Sequence, residues 1–267
     1  MHLMLTSAII SPHPPIIVPE VGGKEIEKTQ KTIQALKSLN LKLRKLKPET
    51  LVVITPHGLI YPDRFNVCAM PFLEGSLAHF GADVHRRYQN DLEIVYRLDQ
   101  LAQKERIPVL PYDNGEEVYE LDHGVLVPLY YLARGLRTKV VPITYSYLSI
   151  PLHYAFGQVL GKVITESTKK IAVIASGDLS HRLKYSQYGY APEGEVFDRL
   201  VIKLLQKGDA SGILSLDEEL IEKAGECGYR SIVILLGVLD QRKWKARILS
   251  YEAPFGIGYL VTEIKFS

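Results

Sequence analysis

The chain has 267 residues, is 46% hydrophobic and 23% charged, and carries a formal net charge of +2 at pH 7. That length and apolar content suit one large soluble domain, and the dispersed Lys and Arg give no electrostatic footprint for nucleic acid or an acidic membrane. Only two cysteines, Cys68 and Cys227, are present, which argues against a disulfide framework and for a reducing compartment.

The N-terminal apolar run has no positive segment ahead of it, so it does not read as a signal peptide. No apolar stretch approaches the ~20 residues needed to cross a bilayer. The expected location is therefore cytoplasmic. The sixteen tyrosines are dispersed and form no base-stacking ladder.

Taken in chain order, residues 3–10 form a continuous apolar run that predicts a buried strand. Ile33, Leu36, Leu39, Leu43 and Leu46 fall three or four apart, which predicts a helix over about 24–46 with one apolar stripe. Lys42, Arg44 and Lys45 lie on its solvated face. Residues 50–55 are a second strand, followed by a less regular stretch that includes 65–70 and a charged helix over 91–103. Strands are predicted at 107–110, 139–144 and 170–175, with helices at 125–134 and 151–167 between them.

Three helical patterns follow, near 192–206, 215–223 and 228–239, and two strands close the chain at 245–251 and 258–266. Short β-branched runs separated by helices mark an α/β fold: a mostly parallel central sheet with helices on both faces. The last two strands, joined through Ala253-Pro254-Phe255-Gly256, form an antiparallel C-terminal edge. No repeat or linker composition divides 1–267, so one domain is expected.

Two histidines stand directly behind apolar runs and are framed by proline: Ser11-Pro12-His13-Pro14-Pro15 and Thr55-Pro56-His57-Gly58. Proline fixes its own φ and pushes the residue before it to extended geometry, so each ring has a stiff support. Imidazole is the commonest side-chain ligand for transition metals, and ligands in open α/β sheets gather beyond the carboxyl ends of the strands. Either pair alone could be a simple turn. Together they suggest two-thirds of a metal site.

A third strand ends in Ser176-Gly177-Asp178-Leu179-Ser180-His181, placing another histidine beyond a strand end. Asp178 or Ser180 could equally cap a turn there. Asp122-His123-Gly124 opens an apolar helix. Asp122 suits the N-cap, and the helix dipole lowers the pKa of an imidazole in the first turn. Gly225-Glu226-Cys227-Gly228 opens another helix, where Glu226 could cap or complete a two-histidine, one-carboxylate metal face. Cys227 is the competing ligand, since a thiolate favours zinc or copper. His2, His79, His85 and His153 are expected to be structural or solvent-exposed.

These motifs occur in the same order in a known superfamily. The chain resembles the class III (LigB-like) extradiol ring-cleavage dioxygenases, in a branch close to the Memo-like proteins, from His13 to about Leu239. The resemblance implies Fe(II) held by His13, His57 and Glu226, with Zn, Cu or Mn as alternatives. It implies His181 as the catalytic acid/base and His123 as a second active-site histidine near the oxygen or the substrate hydroxyl. The chain departs from the dioxygenase pattern at Cys227, the position where Memo-like relatives offer a cysteine.

The implied activity is cleavage of a catechol- or aminophenol-type ring with O2, as in the catabolism of aromatic compounds. A small aromatic substrate and O2 are the expected partners, nucleic acid and membrane are not, and a homodimer is allowed. Two other readings remain open: a Memo-like metal-binding protein without oxygenase turnover, and a zinc hydrolase in which Glu226 or Asp178 activates water. Tyr145, Tyr147 and the tyrosines of 185–190 are candidate pocket walls for an aromatic ligand.

Overall fold

The computed structural model describes residues 4–267; Leu3, at the start of the first predicted strand, and His2 lie outside the described residues. In chain order the elements are β1 (Leu5–Ser11), α1 (Pro19–Gly22), α2 (Gln30–Leu46), β2 (Thr50–Thr55), β3 (Phe65–Cys68), β4 (Phe72–Ser76) and β5 (His85–Gln89). Next come α3 (Leu92–Lys104), β6 (Val109–Tyr112), β7 (Val118–Leu121), α4 (His123–Leu132), β8 (Lys139–Thr144), α5 (Ile150–Glu166) and β9 (Ile171–Ser176). The chain finishes with α6 (Pro192–Lys207), α7 (Ala210–Leu214), α8 (Glu218–Ala224), α9 (Tyr229–Val238), β10 (Trp244–Glu252) and β11 (Tyr259–Phe266).

Eight strands form one sheet in the order β10-β11-β1-β9-β2-β8-β3-β6. Its centre, β1-β9-β2-β8, is parallel. β10 and β11 add the antiparallel edge that the sequence predicts. On the other side β3 runs antiparallel to β8 and parallel to β6.

Both faces of the central strands are buried, and alternate residues enter different layers. Val52 and Ile54 pack with residues of α3, α5, α6 and α9, whereas Leu51 and Val53 pack with residues of α2 and α4. The period-2 geometry of a strand produces that alternation, and it explains why these strands read as unbroken apolar runs. No helix among the described residues is long and apolar enough to cross a membrane.

Some expectations need correction. The predicted strand 107–110 begins at Val109, residues 23–29 ahead of α2 are a 3-10 helix, and the helix expected at 215–223 is α8, preceded by the short α7. A second sheet of three strands, β5-β4-β7, occupies part of the irregular stretch. β5 is His85-Arg86-Arg87-Tyr88-Gln89 and is largely exposed, so it carries no hydrophobic alternation to read.

The parallel register sets the location of any site. Ser11 pairs with Ser176, Ile54 with Ala175, and Thr55 with Thr144, so four strands end along one line. Helix α9 is held over this end by backbone-close packing on α5. A Cβ on Gly157 would lie 2.1 Å from the Ile234 carbonyl oxygen, and one on Gly237 would lie 2.2 Å from that of Tyr154. Gly157→Ala should therefore lower the unfolding free energy by about 1–3 kcal/mol or more, because rigid backbone must move to admit the methyl. Urea unfolding checks this, and an unchanged midpoint would contradict the packing.

Candidate metal centre

The loops leaving β1, β2 and β9 carry His13, His57 and His181 to the same strand-end crevice, and the start of α4 adds His123. The ring centroids of His13 and His57 are 4.8 Å apart, those of His13 and His123 5.4 Å, and those of His57 and His123 4.2 Å. His13 is buried, while His57, His123, His181 and Cys227 are partly exposed. Asp122 caps α4 as expected, accepting a hydrogen bond from the Gly124 N–H at 2.6 Å.

The tautomer of His13 follows from its neighbours. Ser176 Oγ donates its single proton to the Gly124 carbonyl at 2.5 Å, so at 2.9 Å it must accept from His13 Nδ1–H. That leaves the lone pair of His13 Nε2 free, and His57 Nε2 lies 3.1 Å from it. Two nitrogens sharing one ion at about 2.0–2.1 Å each would have a separation of this order. Ser176 is the support that the sequence analysis missed; only its place at the end of β9, level with Ser11, signalled it.

The third candidate donor in this group is sulfur. Cys227 Sγ lies 3.7 Å from His13 Nε2, and donor atoms of His13, His57 and Cys227 all fall within 4.8 Å of one another. The loops around Asp178 and Cys227 are clasped together to achieve this. The Asp178 carbonyl accepts from the N–H groups of Cys227 (3.3 Å) and Gly228 (2.9 Å), and the Asp178 N–H donates to Cys227 Sγ at 3.2 Å. A Cβ on Gly177 would stand 2.2 Å from the Gly228 Cα, so only glycine permits this approach.

Glu226 is placed differently. Its Oε2 accepts the Tyr229 N–H at 2.5 Å, which is the capping role weighed against metal binding, and it is absent from the donor groups found among the described residues. Asp178 belongs to a second such group with His181 and Cys227, while its Oδ1 accepts the His13 N–H at 3.1 Å. His181 stacks on Tyr188, with centroids 5.6 Å apart, and its Nε2 is buried without a hydrogen-bond partner.

Of the remaining candidates, His153 is fully buried between the Ser149 and Ser146 carbonyls, a structural role. His79 lies in a 3-10 turn and His85 starts β5. Tyr145 is buried, whereas Tyr147, Tyr185, Tyr188 and Tyr190 are exposed.

Electrostatics keep the nitrogen donors neutral. Burial, reinforced by His57, His123 and His181, holds His13 well below the usual histidine range. Burial and then His57 push His123 and His181 down to about 4. Burial lowers His57 too, against the opposing pull of Asp122. Burial also raises the Cys227 thiol well above its ordinary value, aided by Asp178 and Glu226, and lifts the Asp178 and Glu226 carboxyls to about 7. Two neutral imidazoles and a thiol that ionises on binding form a fitting donor set for a divalent transition ion.

One consequence is measurable. At neutral pH the histidines have no proton to lose, so each ion bound should release about one proton, from Cys227, and affinity should rise with pH. Calorimetry of Zn(II) binding in buffers of different ionisation enthalpy reads that number. Cys227→Ser should bring the release towards zero, and no release from the native chain would contradict thiolate ligation.

Comparison with known proteins shows the family of the chain. The model of the family described as the catalytic LigB subunit of aromatic ring-opening dioxygenase matches residues 7–262. Protein CA_C1420 of Clostridium acetobutylicum is 37% identical over 98% of this chain, which spans 58% of that relative's length. A 3,4-dihydroxyphenylacetate 2,3-dioxygenase of Escherichia coli is 26% identical over 96% of this chain and 97% of its own. A MEMO1 family protein of Sulfolobus acidocaldarius is 27% identical over 48% of this chain and 42% of its own. The crystal structure of an uncharacterized Escherichia coli K12 protein shares the fold, with a TM-score of 0.69 at 19% identity, covering 97% of this chain and 99% of that one.

Proposed function

The chain belongs to the LigB family of aromatic ring-opening dioxygenase subunits, and on that premise we propose that it holds a divalent transition metal through His13, His57 and Cys227 and opens a catechol- or aminophenol-type ring with O2. The observation that carries the reading is the convergence of four histidines and one thiol on a single strand-end crevice. Binding at the ends of parallel strands is where this architecture places ligands. When bound, Fe(II) would supply the one-electron chemistry that a closed-shell ring and triplet O2 require.

The chain's own groups handle position and protons. His181 Nε2 has no partner in the protein, so it is free to take the proton of a substrate hydroxyl. Burial, which depresses its pKa to about 4, makes the imidazolium costly and favours return of that proton later in the reaction. His123, neutral at the α4 N-terminus and tilted against the His57 ring, can hydrogen-bond a substrate oxygen without adding charge. Ser176 and the Asp178–Cys227 clasp keep the donors in place. Two free cysteines fit a reducing, cytoplasmic setting.

A second reading shares the metal and lacks turnover. Cys227 favours it, because ring-opening chemistry of this type ordinarily pairs two histidines with a carboxylate, and Glu226 is engaged elsewhere. Anaerobic loading with Fe(II), followed by O2-uptake assays over catechols and aminophenols, separates the two. Substrate-dependent uptake is expected, and no uptake at full metal occupancy would leave metal binding alone. His181→Ala should keep the metal and lose roughly 10²-fold or more of the rate. Full activity in that variant would overturn the proton-transfer role.

A further inference from the structure

Asp198 is a carboxylate set in an apolar stripe. The buried residues of α6 are Gly194, Phe197, Asp198, Val201 and Leu205, spaced to face the core along one side of the helix, and Asp198 is 1% exposed. Burying a charge is costly unless it is paired or hydrogen-bonded, and among the described residues no cation comes within 4.0 Å of this one. Burial lifts its carboxyl to about 6, so it is mostly ionised at neutral pH.

Its two hydrogen bonds join distant parts of the chain. Oδ1 accepts the Ser180 N–H at 2.8 Å, and Oδ2 accepts the hydroxyl of Tyr251, from β10, at 2.5 Å. An ionised acceptor makes both bonds stronger than neutral ones.

Ser180 immediately precedes His181. In this segment the N–H groups of Leu179 and Leu183 donate to the Gly258 and Gly256 carbonyls at 2.8 and 3.0 Å, and that of His181 to the Ala224 carbonyl at 3.1 Å. The Arg182 N–H donates to Ser180 Oγ at 3.0 Å, and Ser180 Oγ donates to the Ala224 carbonyl at 2.9 Å. Of the five N–H groups from Leu179 to Leu183, only that of Ser180 ends on a carboxylate. The His181 ring depends on this framework, because its Nε2 has no partner in the protein and the ring takes its place from its backbone and from the Tyr188 stack.

We propose that Asp198 and Tyr251 are positioning residues for proton transfer: by fixing Ser180 they hold the His181 imidazole at the crevice. This rests on the role given to His181 above. The pair ties the placement of His181 to α6 and the C-terminal strands, remote from the metal donors in sequence.

Two readouts on the full chain test it. Hydrogen–deuterium exchange followed by mass spectrometry reads the segment without turnover. Asp198→Ala should speed exchange over 179–183 by roughly ten- to a hundred-fold and leave 50–55 unchanged. Asp198→Asn, whose amide oxygen can still accept the Ser180 N–H, should stay near the native rates. O2 uptake with 4-methylcatechol on the Fe(II)-loaded chain reads the consequence. Asp198→Ala should keep its metal and KM and lose roughly tenfold or more of kcat, with most of the rate restored in Asp198→Asn. Tyr251→Phe, a milder cut that carries the test if Asp198→Ala does not fold, should show the same split at about two- to fivefold. A purely structural role would lower stability and leave the kcat of the folded protein intact. Unchanged exchange over 179–183, or full kcat despite faster exchange, would overturn this inference alone. A native chain inert towards catechols and aminophenols, or a fully active His181→Ala, would overturn the proton-transfer reading and this inference with it.

Discussion

The backbone clasp between the loop after β9 and the loop before α9 determines what this site is. Gly177 and Gly228 let two main chains meet almost without side chains between them, and the Asp178 carbonyl then satisfies the N–H groups of Cys227 and Gly228. With those bonds made, Cys227 Sγ is directed at His13, and Glu226, one residue earlier, turns to the start of α9. A rotation by a single residue along this loop would exchange sulfur for carboxylate. Which of the two side chains faces the histidines is thus a property of two glycines and a carbonyl oxygen as much as of the side chain itself.

The clasp works because the sheet delivers its partners. Parallel pairing of β1, β9 and β2 lines up the loops bearing His13, Asp178 and His57, and the close α5–α9 packing fixes the height of α9 above them. Burial then keeps the imidazoles uncharged, so their mutual proximity costs little repulsion. Four protonated histidines this close would repel strongly; four neutral ones make a set of donors and proton acceptors. Packing and electrostatics act together here, since the burial that holds the donors in place also sets their protonation.

Much of this was legible in the sequence. Continuous apolar runs such as 50–55 and 139–144 gave the central strands, and the histidines behind 3–10, 50–55 and 170–175 pointed to one crevice because parallel strands share an end. The three-stranded sheet was illegible because β5 is exposed and polar and lacks a buried face to impose a period. The sequence also left Glu226 and Cys227 both open as third ligand. They are adjacent, and only the hydrogen bonds of the loop distinguish them. Ser176 was hard to read for a related reason: it acts through a tautomer, and apart from its place at the end of β9 that leaves no pattern in residue order.

The central claim is that sulfur, and not the neighbouring carboxylate, completes the metal centre with His13 and His57. Metal content after Fe(II) or Zn(II) loading, measured by plasma mass spectrometry on Cys227→Ala and Glu226→Ala side by side, tests it most directly. Stoichiometric metal should be lost from Cys227→Ala and kept by Glu226→Ala. The reverse pattern, with metal retained without the thiol and lost without the carboxylate, would contradict the claim and restore the two-histidine, one-carboxylate face.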